Sequence, residues 1–483
     1  EFVHVEPLDV LKPIIDHCDE HPEDCEKIDG VQYKLVAEEE ERIFTRVDSK
    51  AVTFEGLYNF NGGLVNSAEY SIRDTDYVHV EAHAELGGHD DHEDEEDGHE
   101  GHGSTNFSNQ STELAVKFDI GDESMGQKIA LNIAQEEIAI FADHGEEDSD
   151  HVEDADHDDH DDHDDHDDHD DHAGENYLEP TQSDELTLGY YISNQLDFAH
   201  IDFGVRYDRI DRETEDGHKY DDSLLSFSFA ASKQLSDNLG VSLGLSSVEK
   251  APSAMELFVD GDHMVTQLHE VGDDSLTAEK ANNIDLTFNT AASGFDVELS
   301  LFKNSISDFI YLNRTGEFNV TADVLDDLEL EIAEYMQQDA TFEGYELQIS
   351  RSINVANGSL VASLGRDYVD AQFDQGGYIP RTVPTRNLVS LNYSGNDGLN
   401  WLVSLKDIQG QSKVAANEEA TDGYQWLDVK LSKGFKLSNT EVLNVSVFAK
   451  NLMNKVARNH SSFVKEEVPL PGKNIGIKAK LSF

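Results

Sequence analysis

NIGIKAKLSF, residues Asn474 to Phe483, decides the fold. Ile475, Ile477, Ala479, Leu481 and Phe483 take alternate positions, and Lys478, Lys480 and Ser482 fall between them. A period of two puts the first set on one face of a β-strand and the second on the other. The alternation recurs at Leu443, Val445, Val447 and Ala449, at Trp401, Val403 and Leu405, at Val297, Leu299 and Leu301, and at Ile201, Phe203, Val205 and Tyr207. Counted from Ile43, about seventeen such segments of roughly ten residues follow one another, too many for a sandwich domain and usual for a large barrel.

The connections between segments alternate in length. Short ones fall near 61–63, 119–126, 197–199, 236–238, 293–294, 354–358, 395–398 and 438–440. Long ones fall near 87–103, 143–180, 250–279, 313–339, 412–422 and 455–471, with tighter ones near 213–221 and 375–379. Short turns on one rim and long loops on the other are what a transmembrane antiparallel β-barrel requires. The expected fold class is therefore all-β, with such a barrel over 43–483 and residues 1–42 as an extracellular loop holding one short strand near Val31 to Val36. Placing the short turns in the periplasm sets Phe483 at that end and the long loops outside. The first downward strand, near Ile43 to Phe60, then follows an external loop with no strand before it, so the chain is expected to begin mid-barrel. Val324, Leu325, Leu328 and Ile332 stand at helical spacing and predict a short helix over Val324 to Gln337.

With 101 acidic against 34 basic side chains in 483 residues, the formal charge is −67. Such a field repels nucleic acid and anionic substrates and gathers cations. Part of the acidity also lies in segments without His, where a salt-rich habitat would explain it. No run reaches the eighteen or so apolar residues of a membrane-spanning helix, but barrel strands cross with alternating residues and leave no such run. The chain starts at Glu1 with no secretory leader, so it reads as processed or as a fragment. No nucleophile elbow, HExxH helix or P-loop occurs, and no enzyme is expected.

Two long loops are rich in metal-binding groups. His157, His160, His163, His166, His169 and His172 recur every third residue with Asp pairs between them, a period that neither helix nor strand can bury on one face. Imidazole and carboxylate together are ligands for zinc and related divalent ions. An acidic spacer without ligand function is the competing reading, and the regular placing of His favours metal capture. The other loop carries His89, His92, His99 and His102. Ordering a free loop costs about 1–2 kcal/mol per residue, so both loops are expected to offer many weak, exchanging sites.

A selective site needs ligands on ordered elements. His79, Glu81 and His83 alternate along one strand and point to one side, successive ones about 7 Å apart, so they need a partner from elsewhere to share one ion. His263 and His269, flanked by Glu256, Asp260, Asp262 and Glu270 in the 250–279 loop, are the candidate partners. Binding there is expected to weaken below about pH 6, where imidazoles protonate. Cys18 and Cys25, six residues apart inside HCDEHPEDC, allow a loop-closing disulfide in an oxidising compartment. With His17 and His21 beside them, a Cys/His metal site is the alternative.

Six stretches resemble the TonB-dependent outer-membrane receptors: APSAMELFVDGDH (251–263), GDDSLTAEKANNIDL (272–286), FKNSISDFIYL (302–312), ATFEGYELQIS (340–350), PRTVPTRN (380–387) and the closing segment from Asn451 to Phe483. DYVHVE (76–81), STNFSN (104–109) and Gly261-Asp262-His263 resemble the zinc-uptake type within that family. The resemblance implies a bacterial outer-membrane location, a barrel of about twenty-two strands around an N-terminal plug, and energy from the inner-membrane TonB system. Against that pattern the plug, its energy-coupling box and about five strands are missing, so this chain alone is expected to transport nothing. It implies a divalent metal, zinc first, as transported ligand, with no organic cofactor. Haem or siderophore uptake is the nearest alternative, although Lys250 stands where haem receptors have Arg and 272–276 lacks their Asn-Pro pair. A passive surface metal buffer is the alternative outside transport. His460 sits in a family-matched loop and is a weaker candidate ligand.

Overall fold

The computed structural model describes residues 10–13, 25–28, 31–36, 40–86, 104–121, 125–143, 176–263, 265–319, 330–438, 440–466 and 468–483; for those among 10–44, for 82–86 and for 142–143 it describes the backbone alone. Strands β1 (Val10–Pro13), β2 (Cys25–Ile28) and β3 (Val31–Val36) make a small sheet in the order β1-β3-β2. The expected strand at Val31 to Val36 is β3, joined by two partners that the sequence reading did not include. The pairing of Cys18 with Cys25 lies outside the described residues.

The rest of the described chain is one wall. Its strands are β4 (Glu40–Asn59), β5 (Val65–Leu86), β6 (Ser104–Gly121), β7 (Met125–Asp143), β8 (Asn176–Gln195), β9 (His200–Thr214), β10 (Lys219–Ser236) and β11 (Leu239–Lys250). A helix, α1 (Ala254–Phe258), and two four-residue strands, β12 (Asp260–His263) and β13 (Leu268–Val271), interrupt the series. The wall resumes with β14 (Glu279–Ala292), β15 (Phe295–Asn319), β16 (Leu330–Val355), β17 (Gly358–Phe373), β18 (Arg386–Gly395), β19 (Leu399–Ile408), β20 (Tyr424–Lys436), β21 (Val442–Lys450) and β22 (Asn474–Ser482). Without β12 and β13, the wall holds the seventeen strands that the alternation predicts. Every successive pair is antiparallel, with β11 laddered directly onto β14, and the wall curves into a barrel.

Outward-facing apolar side chains form a band across the ladders. Leu431 pairs with Val447, and Val447 with Ile477; these three are 46%, 43% and 73% exposed. An exposed band of this kind has no protein partner and suits hydrocarbon, where backbone groups must be paired within a closed sheet. Several strands are far longer than the roughly 9–11 residues that cross a bilayer: β15 has 25 and β16 has 26. The wall therefore continues beyond the lipid on the long-loop rim.

The expected helix at Val324 to Gln337 is corrected. Residues 330–337 belong to β16, and 324–329 lie outside the described residues. The reason is tertiary pairing. One edge of this segment ladders antiparallel to β15 and the other takes β13 in parallel, Leu268 opposite Glu331 through Val271 opposite Glu334. Two ladders of hydrogen bonds outweigh a weak helical spacing.

The segment between β11 and β14 supplies much of the buried core. Ser253 caps α1: its hydroxyl accepts from the Glu256 N–H at 3.3 Å while its own N–H donates to Glu256 Oε2 at 2.7 Å, a reciprocal pair that fixes the first turn. Beyond α1, β12 and β13 form a hairpin that folds across the barrel mouth. Ala254 and Val259 pack with Ile140 of β7 and with Tyr177 and Leu178 of β8. On the far side, Leu268 packs with Leu312 and Ala333. Two glycines permit this close fit. A Cβ on Gly272 would stand 2.7 Å from the Leu257 carbonyl, and one on Gly261 would stand 3.1 Å from Tyr177.

Candidate metal site

The hairpin carries its polar residues on two faces. Cross-strand partners share a face, so Gly261 with Glu270 and His263 with Leu268 lie on one side, and Asp262 with His269 on the other. The first face meets β5. His263 Nδ1 lies 3.0 Å from Glu270 Oε1, and His263 Nε2 lies 3.6 Å from Glu81 Oε2. The other oxygen of Glu81 is 3.4 Å from His79 Nε2. The result is a chain, His79, Glu81, His263, Glu270, that ties an ordered wall strand to the inserted hairpin.

Aromatic rings surround it. Phe107 of β6 stacks on His79 at 5.5 Å between centroids and meets His263 edge-on at 5.9 Å; Tyr177 lies 5.7 Å from His263. His263 and Glu270 are 14% and 4% exposed at their side chains, so water screens this pair little. Burial alone would hold His263 neutral, but the Glu270 and Glu81 carboxylates that face its two ring nitrogens outweigh it and push its pKa up to about 9.

Several buried polar atoms here are left without a hydrogen bond. At 3.6 Å from Glu81, His263 Nε2 makes none, and neither do Tyr177 Oη and Thr105 Oγ1. Thr105 sits directly across the ladder from Glu81. An unsatisfied buried polar group costs about 1–3 kcal/mol, so three in one place point to a polar occupant. The separations suit an ion: two donors about 2.0–2.1 Å from a tetrahedral zinc stand roughly 3.4 Å apart. Among the described residues no three His, Cys, Asp or Glu side chains already surround one point, because Glu81 stands between the two imidazoles with one oxygen toward each. Closing on an ion requires Glu81 to turn and His263 to give up a proton.

The other candidates fall elsewhere. His269 faces away from this chain, with Nδ1 2.6 Å from Asp262 and Nε2 3.4 Å from Asp260. Glu256 is committed to the cap of α1, with Lys250 3.6 Å away. His460 is buried, its Nδ1 3.0 Å from Thr421 Oγ1 and its Nε2 3.3 Å from Glu418, a structural arrangement. The β5 backbone passes through His83, whose side chain is outside the described residues, as are His89, His92, His99, His102 and the repeat His157 to His172. Thr105, Phe107 and Tyr177 were not singled out from sequence. Their signal was placement: Thr105 and Phe107 lie in the STNFSN stretch that leaves one His-rich loop, and Tyr177 follows the other.

A family model described as "TonB dependent receptor-like, beta-barrel" matches residues 31–452. Among solved structures, the fold is similar to the copper transporter OprC, at a TM-score of 0.69 and 13% identity over 91% of this chain and 67% of that one. It is similar also to the FrpB iron transporter of Neisseria meningitidis, at 0.60 and 14% over 91% and 63%. The siderophore receptor PirA of Acinetobacter baumannii matches at 0.56 and 14% over 93% and 63%. The chain thus spans about two thirds of the first of these proteins and slightly less of the other two. Such identities speak for the fold, and the family match speaks for descent: the chain belongs to the TonB-dependent receptors, and its wall is the outer-membrane β-barrel of that family.

Proposed function

We propose that the protein is an outer-membrane receptor for a divalent metal ion, zinc first, taken up with energy from the inner-membrane TonB system. The observation that carries this reading is the largely shielded chain of two imidazoles and two carboxylates between β5 and the inserted hairpin, with orphaned polar atoms beside it. The His- and Asp-rich loops would raise the local cation concentration, and the ordered chain would select. His79, Glu81, His263 and Glu270 are the ligands proposed, with His83 as a further candidate on the same strand.

Copper is the specific rival. Imidazole and carboxylate sites bind Cu(II) more tightly than Zn(II) in general, and a copper transporter is among the similar folds. Iron and siderophore uptake draw support from the other neighbours, but the chain of ligands here is shaped for an ion. Competition calorimetry on the purified chain in detergent, with zinc, copper and haem, tests the reading. One tight zinc event that haem does not displace is expected. Haem or a ferric chelate displacing zinc, or no tight metal event, would refute it.

A further inference from the structure

A cleft of about 260 Å³ opens beside the hairpin, sharing Thr266 and Leu268 with it and lined by β15 itself and by the loops after β17, β19 and β21. Its charge runs against the composition of the chain. Acidic residues outnumber basic ones roughly three to one overall, yet the cleft is lined by Arg314, Arg381 and Lys465 with Glu418 as its one carboxylate. That carboxylate is saturated: it accepts from Lys465 Nζ at 2.8 Å and from the backbone N–H groups of Arg381 and Ala415 at 2.9 and 3.0 Å, and it faces His460. Arg314 is held by Glu331. The Arg381 guanidinium differs. It lies over the Phe463 ring at 3.9 Å and makes no ion pair or hydrogen bond among the described residues.

Arg381 is also held in an unusual backbone state. Its φ is +55°, a left-handed conformation that L-residues rarely adopt outside well-determined sites. The contact from its N–H to Glu418 fixes that turn. Glu418 and Glu270 are near enough for their charge to act on the guanidinium, but neither takes up its side-chain N–H groups. A cation stacked on one ring, held by its backbone and with its fork unpaired among the described residues is a preorganised binding group, because an arginine fork matches a carboxylate with two parallel hydrogen bonds. Tyr311, Phe373 and Tyr378 line the same cleft and offer apolar walls to a flat molecule. The volume is below that of a drug-sized pocket, which limits the occupant to a small molecule.

We propose that this cleft binds a small aromatic carboxylate, its carboxylate on the Arg381 guanidinium and its ring among the aromatic side chains. The site shares no ligand with the metal chain on β5, although Arg381 is close enough for the charge of Glu270 to act on it.

Benzoate is the probe, titrated by calorimetry into the full chain in non-ionic detergent beside its neutral isostere benzamide. Saturable binding of benzoate, at least about tenfold tighter than benzamide, is expected, as charge-assisted pairing requires. Arg381→Gln should lose that preference, and Arg381→Lys should restore only part of it, since a point charge lacks the fork. Zinc binding should not change in Arg381→Lys, which keeps the charge that acts on Glu270, and this separates failure here from failure of the metal reading. Equal binding of benzoate and benzamide, benzoate affinity unchanged in Arg381→Gln, or acetate and inorganic phosphate binding as tightly as benzoate would overturn the proposal. The benzoate and benzamide comparison needs no variant and stands even if a substitution disturbs the loops.

Discussion

At the scale of residues, a proton on His263 would be the competitor of the proposed metal. The sequence alone places the loss of binding below about pH 6, as for an ordinary imidazole with a pKa near 6.5. Glu270 and Glu81 push His263 up to about 9, so the window moves. Zinc affinity is expected to keep rising with pH through neutrality, by up to about tenfold per unit for one displaced proton, and to level only near pH 9. Calorimetry at several pH values checks this, and a plateau already reached at pH 7 would contradict it. The sign for the metal-free hairpin is opposite. A raised pKa means that the charged His263 stabilises docking fully below about 6.5, and that this contribution fades as pH rises toward 9. The residues that sequence could name, His79, Glu81, His263 and Glu270, were legible because ligand types in a regular pattern stand out. Thr105 and Tyr177 were not, because one hydroxyl buried without a partner is visible only once the chain is folded.

At the scale of elements, the hairpin is the piece on which the site depends. The sequence marks 250–279 as one long loop, since Asp260–His263 and Leu268–Val271 are too short and too polar to show a period. What makes them strands is docking: β13 pairs with β16, and Val259 and Leu268 are buried at 1% and 4% exposure. Gly272 is the hinge of that docking, with no room for a methyl group against the Leu257 carbonyl. Gly272→Ala is expected to undock the hairpin while leaving the wall folded. Zinc affinity should fall by an order of magnitude or more, while the strand signal in circular dichroism and the resistance of the barrel to unfolding stay near those of the native chain. Unchanged zinc affinity in this variant would mean that the hairpin does not hold the metal. The helix expected at 324–337 failed for the same reason that the hairpin was missed: both are decided by long-range pairing between β13 and β16, which no local window contains.

At the scale of the whole molecule, the wall was the most legible feature. Alternation is local, and it recurs in seventeen strands, so an error in one does not disturb the parity of the rest. The division of labour between loops and site belongs to this scale too. In the proposed reading the repeat from His157 to His172 would supply number, and the ordered chain on β5 and the hairpin would supply geometry. The most direct test is zinc calorimetry on the chain with residues 157–172 deleted, alone and combined with His79→Ala, His263→Ala or both. The deletion should lower zinc capacity several-fold and leave the tightest event in place. Each single substitution should then remove most of that event, and the double substitution little more, because two ligands of one ion are not additive. If the tightest event vanishes with the repeat, or survives in the double substitution, the site is not the one formed by β5 and the hairpin.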